Sequence, residues 1–268
     1  MGIKKKELDS FLEFSLKTVK KSEKITLKYF NKNIKHKIKK NKTPVTIADI
    51  KCENFLIEKI NSKYPQHSLL TEETGVIDNG SDFKWIIDPL DGTKNFMRLY
   101  PFWGTLLALE WEGEVILGVI SMPALGETIY AVKEGGCYYS GKKAKVSKVD
   151  KVKDSYCIFG SLEHIIPQPY SDNFLNVISS CSYSRGFGDC HGHSFVINGR
   201  AEFMVDPHVA PYDIAATKIC IEEAGGLLTD INGNNGIYSG SALISNGKVH
   251  DEVLKMLNSG FESRDITK

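Results

Sequence analysis

The sequence predicts a mixed α/β (α+β) protein. A mixed N-terminal half, about residues 1–145, and an α/β half, about 146–268, are expected to pack as one domain over residues 1–268. Three observations predict it. A long N-terminal stretch repeats its apolar residues at helical spacing. The middle of the chain alternates and turns like successive strands. The C-terminal part alternates strand-like and helix-like segments.

In chain order, Leu8, Phe11, Leu12, Leu16, Val19 and Leu27 describe an amphipathic helix over residues 5–30. The lysine-rich stretch Lys32 to Lys42 reads either as a polyanion patch or as a solvated strand or loop. Ile34 and Ile38 fall an even number apart and no aromatic platform accompanies the lysines, which favours the second. A helix is expected from about Ile47 to Lys63, ending before Pro65. Ser68-Leu69-Leu70 reads as a short strand leading into Thr71-Glu72-Glu73, and Trp85-Ile86-Ile87 as a strand broken by Asp88-Pro89. Thr105–Glu110, Glu114–Ser121 and Thr128–Val132 read as strands punctuated by Gly113, Pro123 and Gly126. Lys151 to Ser184 is the least legible part. Beyond it, Ala201–Val205 reads as a strand, Asp213–Ala224 as a helix closed by Gly225-Gly226, Leu227-Leu228 and Ala242–Ser245 as strands, and Val249–Leu257 as a last helix.

Composition excludes several classes. The chain is 41% hydrophobic and 25% charged, ordinary for a folded globular protein, and long enough to bury a core without staples. A formal net charge of +1 gives no global field for nucleic acid or membrane. No apolar run approaches the roughly 18 residues of a transmembrane helix. The basic start Met1-Gly2-Ile3-Lys4-Lys5-Lys6 is followed by no apolar signal core, and Lys6 stands where a myristoylation pattern wants Ser or Thr, so a cytoplasmic location is expected. Cysteines 52, 137, 157, 181, 190 and 220 never fall at CxxC spacing and read as reduced thiols.

The chemistry is concentrated in Trp85 to Phe96. A buried strand ends at Asp88, Pro89 fixes the backbone and removes a donor, and Asp91 follows three residues after Asp88, so a turn can bring both carboxylates to one side. Gly92 and Thr93 can then open a helix whose free amides favour a bound phosphate. Hard oxygen ligands beside an anion site suit Mg²⁺. Taken alone, the two aspartates read more readily as a tight turn at Asp91-Gly92 with Asp88 as a cap.

The longer string resembles the inositol monophosphatase superfamily of lithium-sensitive, magnesium-dependent phosphatases. Pro44-Val45-Thr46-Ile47-Ala48-Asp49 resembles its N-terminal motif, and Thr71-Glu72-Glu73 its Gly-Glu-Glu motif with Thr71 in place of glycine. Asp88 to Thr93 matches its Asp-Pro-hydrophobic-Asp-Gly-Thr core. Pro211 to Ala216 with Glu223-Ala224-Gly225-Gly226 resembles its C-terminal motif, with Tyr212 where tryptophan is usual. The resemblance implies an αβαβα layered sandwich, commonly a homodimer, holding two or three Mg²⁺ ions. It implies Glu72, Asp88, Asp91, Asp213 and the Leu90 carbonyl as metal ligands. Asp49 would hold Thr93, Thr93 with Glu72 would orient the attacking water, and Asp91, Gly92 and Thr93 would bind the phosphate.

Substrate choice must come from residues around the metals. Asp91 to Lys94, Phe102 to Leu109 and Ile116 to Glu127 resemble the histidinol-phosphate phosphatase branch, as does Gly188-Asp189-Cys190, although His191 and His193 stand where tyrosines are commoner. Histidinol phosphate carries an ammonium and an imidazole that gain from carboxylates, whereas inositol offers hydroxyls. Asp189 and Asp206 supply that negative charge; otherwise Asp189 reads as a helix N-cap and Asp206-Pro207 as a turn. Arg185 and Lys94 read as positive charge near the phosphate or as solvated groups. His191-x-His193 beside Cys190 also admits a transition-metal site, against packing or pocket contact. The expected activity is therefore Mg²⁺-dependent hydrolysis of L-histidinol phosphate. The alternatives are an inositol-1-phosphatase or broad sugar phosphatase, and a catalytically silent binding or regulatory paralogue. Neither nucleic acid nor membrane is an expected partner.

Overall fold

The computed structural model describes residues 3–32, 36–39 and 44–259. In chain order the first half runs α1 (Lys5–Tyr29), β1 (His36–Ile38), β2 (Pro44–Thr46), α2 (Ile47–Lys63), β3 (Ser68–Thr71), β4 (Gly75–Ile77), β5 (Phe83–Asp91), α3 (Thr93–Met97), β6 (Gly104–Trp111), β7 (Glu114–Met122), β8 (Glu127–Val132), β9 (Gly136–Tyr139) and β10 (Lys142–Lys143). The second runs β11 (Tyr156–Phe159), α4 (Leu162–Ile165), α5 (Ser171–Ser180), β12 (Tyr183–Gly186), α6 (Asp189–Ile197), β13 (Phe203–Asp206), α7 (Pro211–Glu223), β14 (Leu227–Thr229), β15 (Ala242–Ser245) and α8 (His250–Leu257).

Strand periodicity builds the layers. An eight-stranded sheet has the order β10-β9-β8-β7-β6-β5-β3-β4, and a five-stranded sheet the order β12-β11-β13-β15-β14. Alternate residues of the large sheet point to opposite faces. Trp85, Ile87, Leu107 and Leu109 pack with Phe11 and Val19 of α1 and Leu56 and Ile60 of α2. Ile86, Leu106, Ala108 and Ile120 instead face Ile214, Ala215 and Ile219 of α7, which the small sheet covers with Ile158, Met204 and Ile244. The outer face of the small sheet carries Cys157, Phe203 and Leu243 against Phe174 of α5 and Val253 of α8. The result is helix, sheet, helix, sheet, helix, the expected layered sandwich. Gly118 shows how close the layers come: a Cβ there would lie 2.6 Å from the Ala216 carbonyl oxygen of α7.

Two expectations change. The strand at Trp85 does not break at Asp88-Pro89 but continues to Asp91, with a register shift against β6 between Asp88 and Asp91. Pro89 cannot donate to the ladder, and the bulge absorbs the missing bond while turning the two aspartates. Within the lysine-rich stretch, His36–Ile38 is an exposed strand paired with Pro44–Thr46, as a solvated strand should be, but Lys39 is drawn inward. Ile34 lies outside the described residues. The six cysteines are free, and all but Cys181 are buried. Among the described residues no helix is long and apolar enough to cross a membrane.

Candidate active site

The helix starts and strand ends meet at one place. Asp88 and Asp91 leave the end of β5, and Asp213 stands in the first turn of α7 behind Pro211. Carboxylate oxygens of these three residues all lie within 4.8 Å of one another. Each is held by a backbone amide: Leu90 N–H donates to Asp88 at 2.9 Å, Cys190 N–H to Asp91 at 2.5 Å, and Ala210 N–H to Asp213 at 2.7 Å. Glu72 follows β3 and forms a second acidic group with Asp49 and Glu73.

Their electrostatics follow from burial and mutual repulsion. Burial, then the charges of Glu72, Asp91 and Asp213, push the Asp88 carboxyl well above its ordinary range. Burial, then Asp189 and Asp213, do the same to Asp91. Burial leads again for Asp213, pushed up to about 6, and for Glu72, which Asp213 and Asp49 also raise against the opposing pull of Lys39. Several buried carboxylates facing one another disfavour ionisation unless a cation joins them. An all-oxygen donor set of this kind fits a hard divalent ion rather than a thiophilic one.

Beside the cage, α3 begins at Thr93 with Gly92 before it at φ +83°, in the left-handed region. Only glycine fits there: a Cβ would lie 2.9 Å from the Phe102 carbonyl oxygen and 3.2 Å from Asp189 Oδ2. Thr93 Oγ1 lies 3.1 Å from Asp49 Oδ1 and 3.0 Å from the Leu90 carbonyl oxygen. Asp49 is buried at the start of α2, where its other oxygen accepts the Thr46 amide at 2.9 Å in a capping box. The sequence-predicted group Asp49, Glu72, Asp88, Leu90, Asp91, Gly92, Thr93 and Asp213 thus converges.

A cavity of about 500 Å³ opens from the cage and is lined by Glu72, Asp91, Asp189, Asp206 and Asp213 among others. Asp189 is the first residue of α6 but does not cap it; its Oδ2 accepts Asn95 Nδ2–H at 2.9 Å. Its φ of +59° is costly for a residue with a Cβ, strain of the kind concentrated at functional sites. Burial pushes its carboxyl up to about 6. Burial, then Asp189 and Asp213, push Asp206 up to about 8. Among the described residues, no lysine or arginine forms an ion pair with either.

One placement differs from what the sequence suggested, that of Arg185, whereas the histidine pair takes its packing and pocket reading, with His193 on the cavity wall. Arg185 does not line the cavity; its guanidinium lies over the Tyr183 ring, 3.8 Å from the centroid, on the exposed edge strand β12. His191 stacks on Phe102 with ring centroids 4.3 Å apart, while His193 Nδ1 pairs with Thr217 Oγ1 at 2.9 Å. The two rings therefore go to different neighbours, and among the described residues the clusters able to hold a metal are the carboxylate groups above.

Comparison with known proteins decides the family. The sequence profile of the inositol monophosphatase family matches residues 7–260. The chain belongs to the inositol monophosphatase family. A histidinol-phosphatase from Chlorobaculum parvum is 35% identical over 255 residues, covering 94% of this chain and 98% of its own. A fructose-1,6-bisphosphatase/inositol-1-monophosphatase from Thermotoga maritima is 31% identical, covering 94% and 97%. The solved IMPase from Thermotoga maritima superposes with a TM-score of 0.85 at 31% identity, covering 93% of this chain and 97% of that one. This inositol monophosphatase family member is a phosphoric monoester hydrolase acting on small phosphate monoesters, in a family whose enzymes are metal-dependent.

Motif reading alone misses the residues that support this phosphatase's cage. Glu53 of α2, buried, accepts the Glu73 amide at 2.8 Å, the Thr74 amide at 2.8 Å and the Thr74 hydroxyl at 2.6 Å, so it clamps the turn that carries Glu72. Its position one helical turn after Asp49 was the available signal. Lys39 Nζ donates to Glu72 at 2.7 Å and to Glu73 at 2.9 Å. Nothing in a run of lysines marks which one turns in. Thr71 replaces the family glycine without strain, because its φ is not positive.

Proposed function

We propose that this phosphatase hydrolyses L-histidinol phosphate to L-histidinol and phosphate with Mg²⁺ bound. The observation that carries the substrate is the pair Asp189 and Asp206: two carboxylates recessed in the cavity beyond the cage, neither of them in an ion pair among the described residues. Such a pocket favours an organic part that brings its own positive charge, and a neutral polyol leaves those carboxylates uncompensated. The histidinol-phosphatase names carried by relatives at 34–35% identity support the same reading.

Asp88, Asp91, Asp213, Glu72 and the Leu90 carbonyl would hold the ions. Bound Mg²⁺ supplies Lewis-acid polarisation of the phosphoryl group and acidifies a water. The chain's own part is positional. The Gly92 and Thr93 amides at the start of α3 would bind the phosphate. The Thr93 hydroxyl carries one hydrogen between two acceptors, Asp49 and the Leu90 carbonyl, so its lone pair is available to accept from the attacking water. Glu72 accepts from the same water on the cage side. Asp189 and Asp206 hold the ammonium and imidazole.

The deciding experiment measures phosphate release with Mg²⁺, with an EDTA control, on L-histidinol phosphate and myo-inositol 1-phosphate. A large kcat/KM preference for histidinol phosphate is expected. A preference for inositol phosphate, or none, would make this a broad sugar phosphatase of the kind the Thermotoga maritima relative is named for, and would leave Asp189 and Asp206 without the assigned role.

A further inference from the structure

The cavity has a second wall that the catalytic reading does not use. β11 runs out into Gly160 and Ser161, and the short helix α4 places His164 on the cavity surface. β13 ends at Asp206, and two residues later His208 reaches the same surface. The two imidazoles, from separate loops, meet edge to face with centroids 5.1 Å apart and planes at 60°. His164 is half-buried and His208 exposed. Their polar contacts to the protein run through the backbone: Gln168 Nε2 donates to the His164 carbonyl and His208 N–H to Asp206 Oδ1. Among the described residues, neither ring has a protein hydrogen-bond partner.

The surroundings match a flat ring. Gly160, Gly186 and Gly188 line the cavity here with backbone alone. A Cβ on Gly160 would already lie 3.4 Å from Asp206 Oδ2, and one on Gly188 would lie 3.8 Å from the Gly160 Cα. The main chain of these glycines therefore forms part of the wall beside Asp206. The nearby cation Lys94 is paired with Glu163 at 3.6 Å, next to His164 in sequence. A negative slot with an aromatic face suits a planar, positively charged heterocycle, which gains from the ring face and the carboxylates together.

We propose that His164 is a specificity-determining residue whose ring face stacks on the imidazole of the substrate, and that His208 is a positioning residue that braces it edge-on. This rests on the histidinol phosphate reading. Sugar and inositol phosphates have no flat ring to place in this slot, so the stacking contact separates the two substrate classes. Burial, then the neighbouring His208 and Lys94 charges, lower the His164 pKa, which keeps the ring neutral and its face attractive to a cation.

The test uses the Mg²⁺-loaded full chain and the ratio of kcat/KM for L-histidinol phosphate over that for glycerol 2-phosphate, which has no ring. His164→Ala is expected to lower this ratio about ten-fold, the order of one stacking or cation–π contact. His208→Ala lowers it less, in the same direction, and His164→Phe, which keeps a flat face, holds it near the wild-type ratio. A ratio left unchanged in His164→Ala overturns the proposal. If the wild type itself shows no preference for histidinol phosphate, the functional reading has failed and this inference falls with it. That result is distinct from a wild-type preference that His164→Ala retains. An independent measurement covers the case of a poorly folded variant. In NMR titrations of the wild-type protein with L-histidinol, the imidazole C–H signals shift upfield if the rings stack, and unshifted signals overturn the proposal.

Discussion

Glu53 and Thr74 are joined twice, amide to carboxylate at 2.8 Å and hydroxyl to the same oxygen at 2.6 Å, from the helix that also carries Asp49. Glu53→Gln replaces one acceptor oxygen with a donor, so one end of the clamp faces an N–H that it cannot accept. The expected result is a roughly ten-fold rise in the Mg²⁺ concentration needed for half-maximal activity, because Glu72 is presented less firmly. Glu53→Ala should destabilise the protein by roughly 2 kcal/mol, as the turn's donors lose their acceptor. A Mg²⁺ titration of activity beside a denaturant titration separates the two effects. An unchanged Mg²⁺ requirement in both variants would reduce Glu53 to a fold residue.

Lys39 compensates two neighbouring carboxylates, so its loss should depend on pH. Burial pushes Glu73 up to about 7 and raises Glu72 as well, while these two acids hold the Lys39 ammonium charged despite its burial. A carboxyl whose folded pKa is raised stabilises the fold below its unfolded pKa and loses that contribution as pH rises through the folded value. In metal-free Lys39→Gln the thermal midpoint should therefore match wild type at about pH 4 and fall below it at about pH 8.5, by roughly 2 kcal/mol in stability. Added Mg²⁺ should close the gap, since it supplies the missing positive charge. Melting curves at the two pH values, with and without Mg²⁺, check this.

The sequence made some of this legible and hid the rest for physical reasons. The layers were readable because Trp85 to Ile87 and Leu106 to Leu109 alternate faces in long buried strands. The cage was readable because Asp88 to Thr93 must be contiguous to form a bulge, a turn and a helix start in one place. Lys151 to Ser184 was opaque because β11 and β12 are four residues each, β12 is largely exposed, and α5 buries only Phe174 and Val177. Lys39 and Glu53 were hidden because their roles depend on partners that lie 20 or more residues away in the chain. Arg185 was misplaced because an arginine near Gly188-Asp189-Cys190 in sequence still follows the strand pleat, which turns it over Tyr183.

Asp88→Asn should abolish Mg²⁺-dependent hydrolysis while the protein stays folded. The loss is expected to be on the order of a thousand-fold or more, since an electrostatic group acting in a water-poor site is removed. The thermal midpoint of the metal-free protein should rise, because the substitution removes one of several buried carboxylates that repel one another. Near-normal turnover in this variant would remove the cage from the mechanism.

Asp206 gives the sharpest test of the pocket's charge. Its ordinary pKa of 3.8 rises to about 8 in the fold, through burial first and then through Asp189 and Asp213. Below its unfolded pKa both states are protonated and the carboxyl costs nothing. As pH rises through about 8 the folded protein must hold a recessed charge that the unfolded chain carries freely, so stability falls. Asp206→Asn cannot ionise. Its melting temperature should equal that of wild type at about pH 4 and exceed it at about pH 8.5. L-histidinol should reverse the order: at the higher pH its cation pairs with Asp206 and raises the wild-type midpoint more than that of Asp206→Asn. The same variant should lose more kcat/KM on histidinol phosphate than on inositol phosphate. Equal midpoint shifts with L-histidinol in both proteins would show that the organic part of the substrate does not reach Asp206.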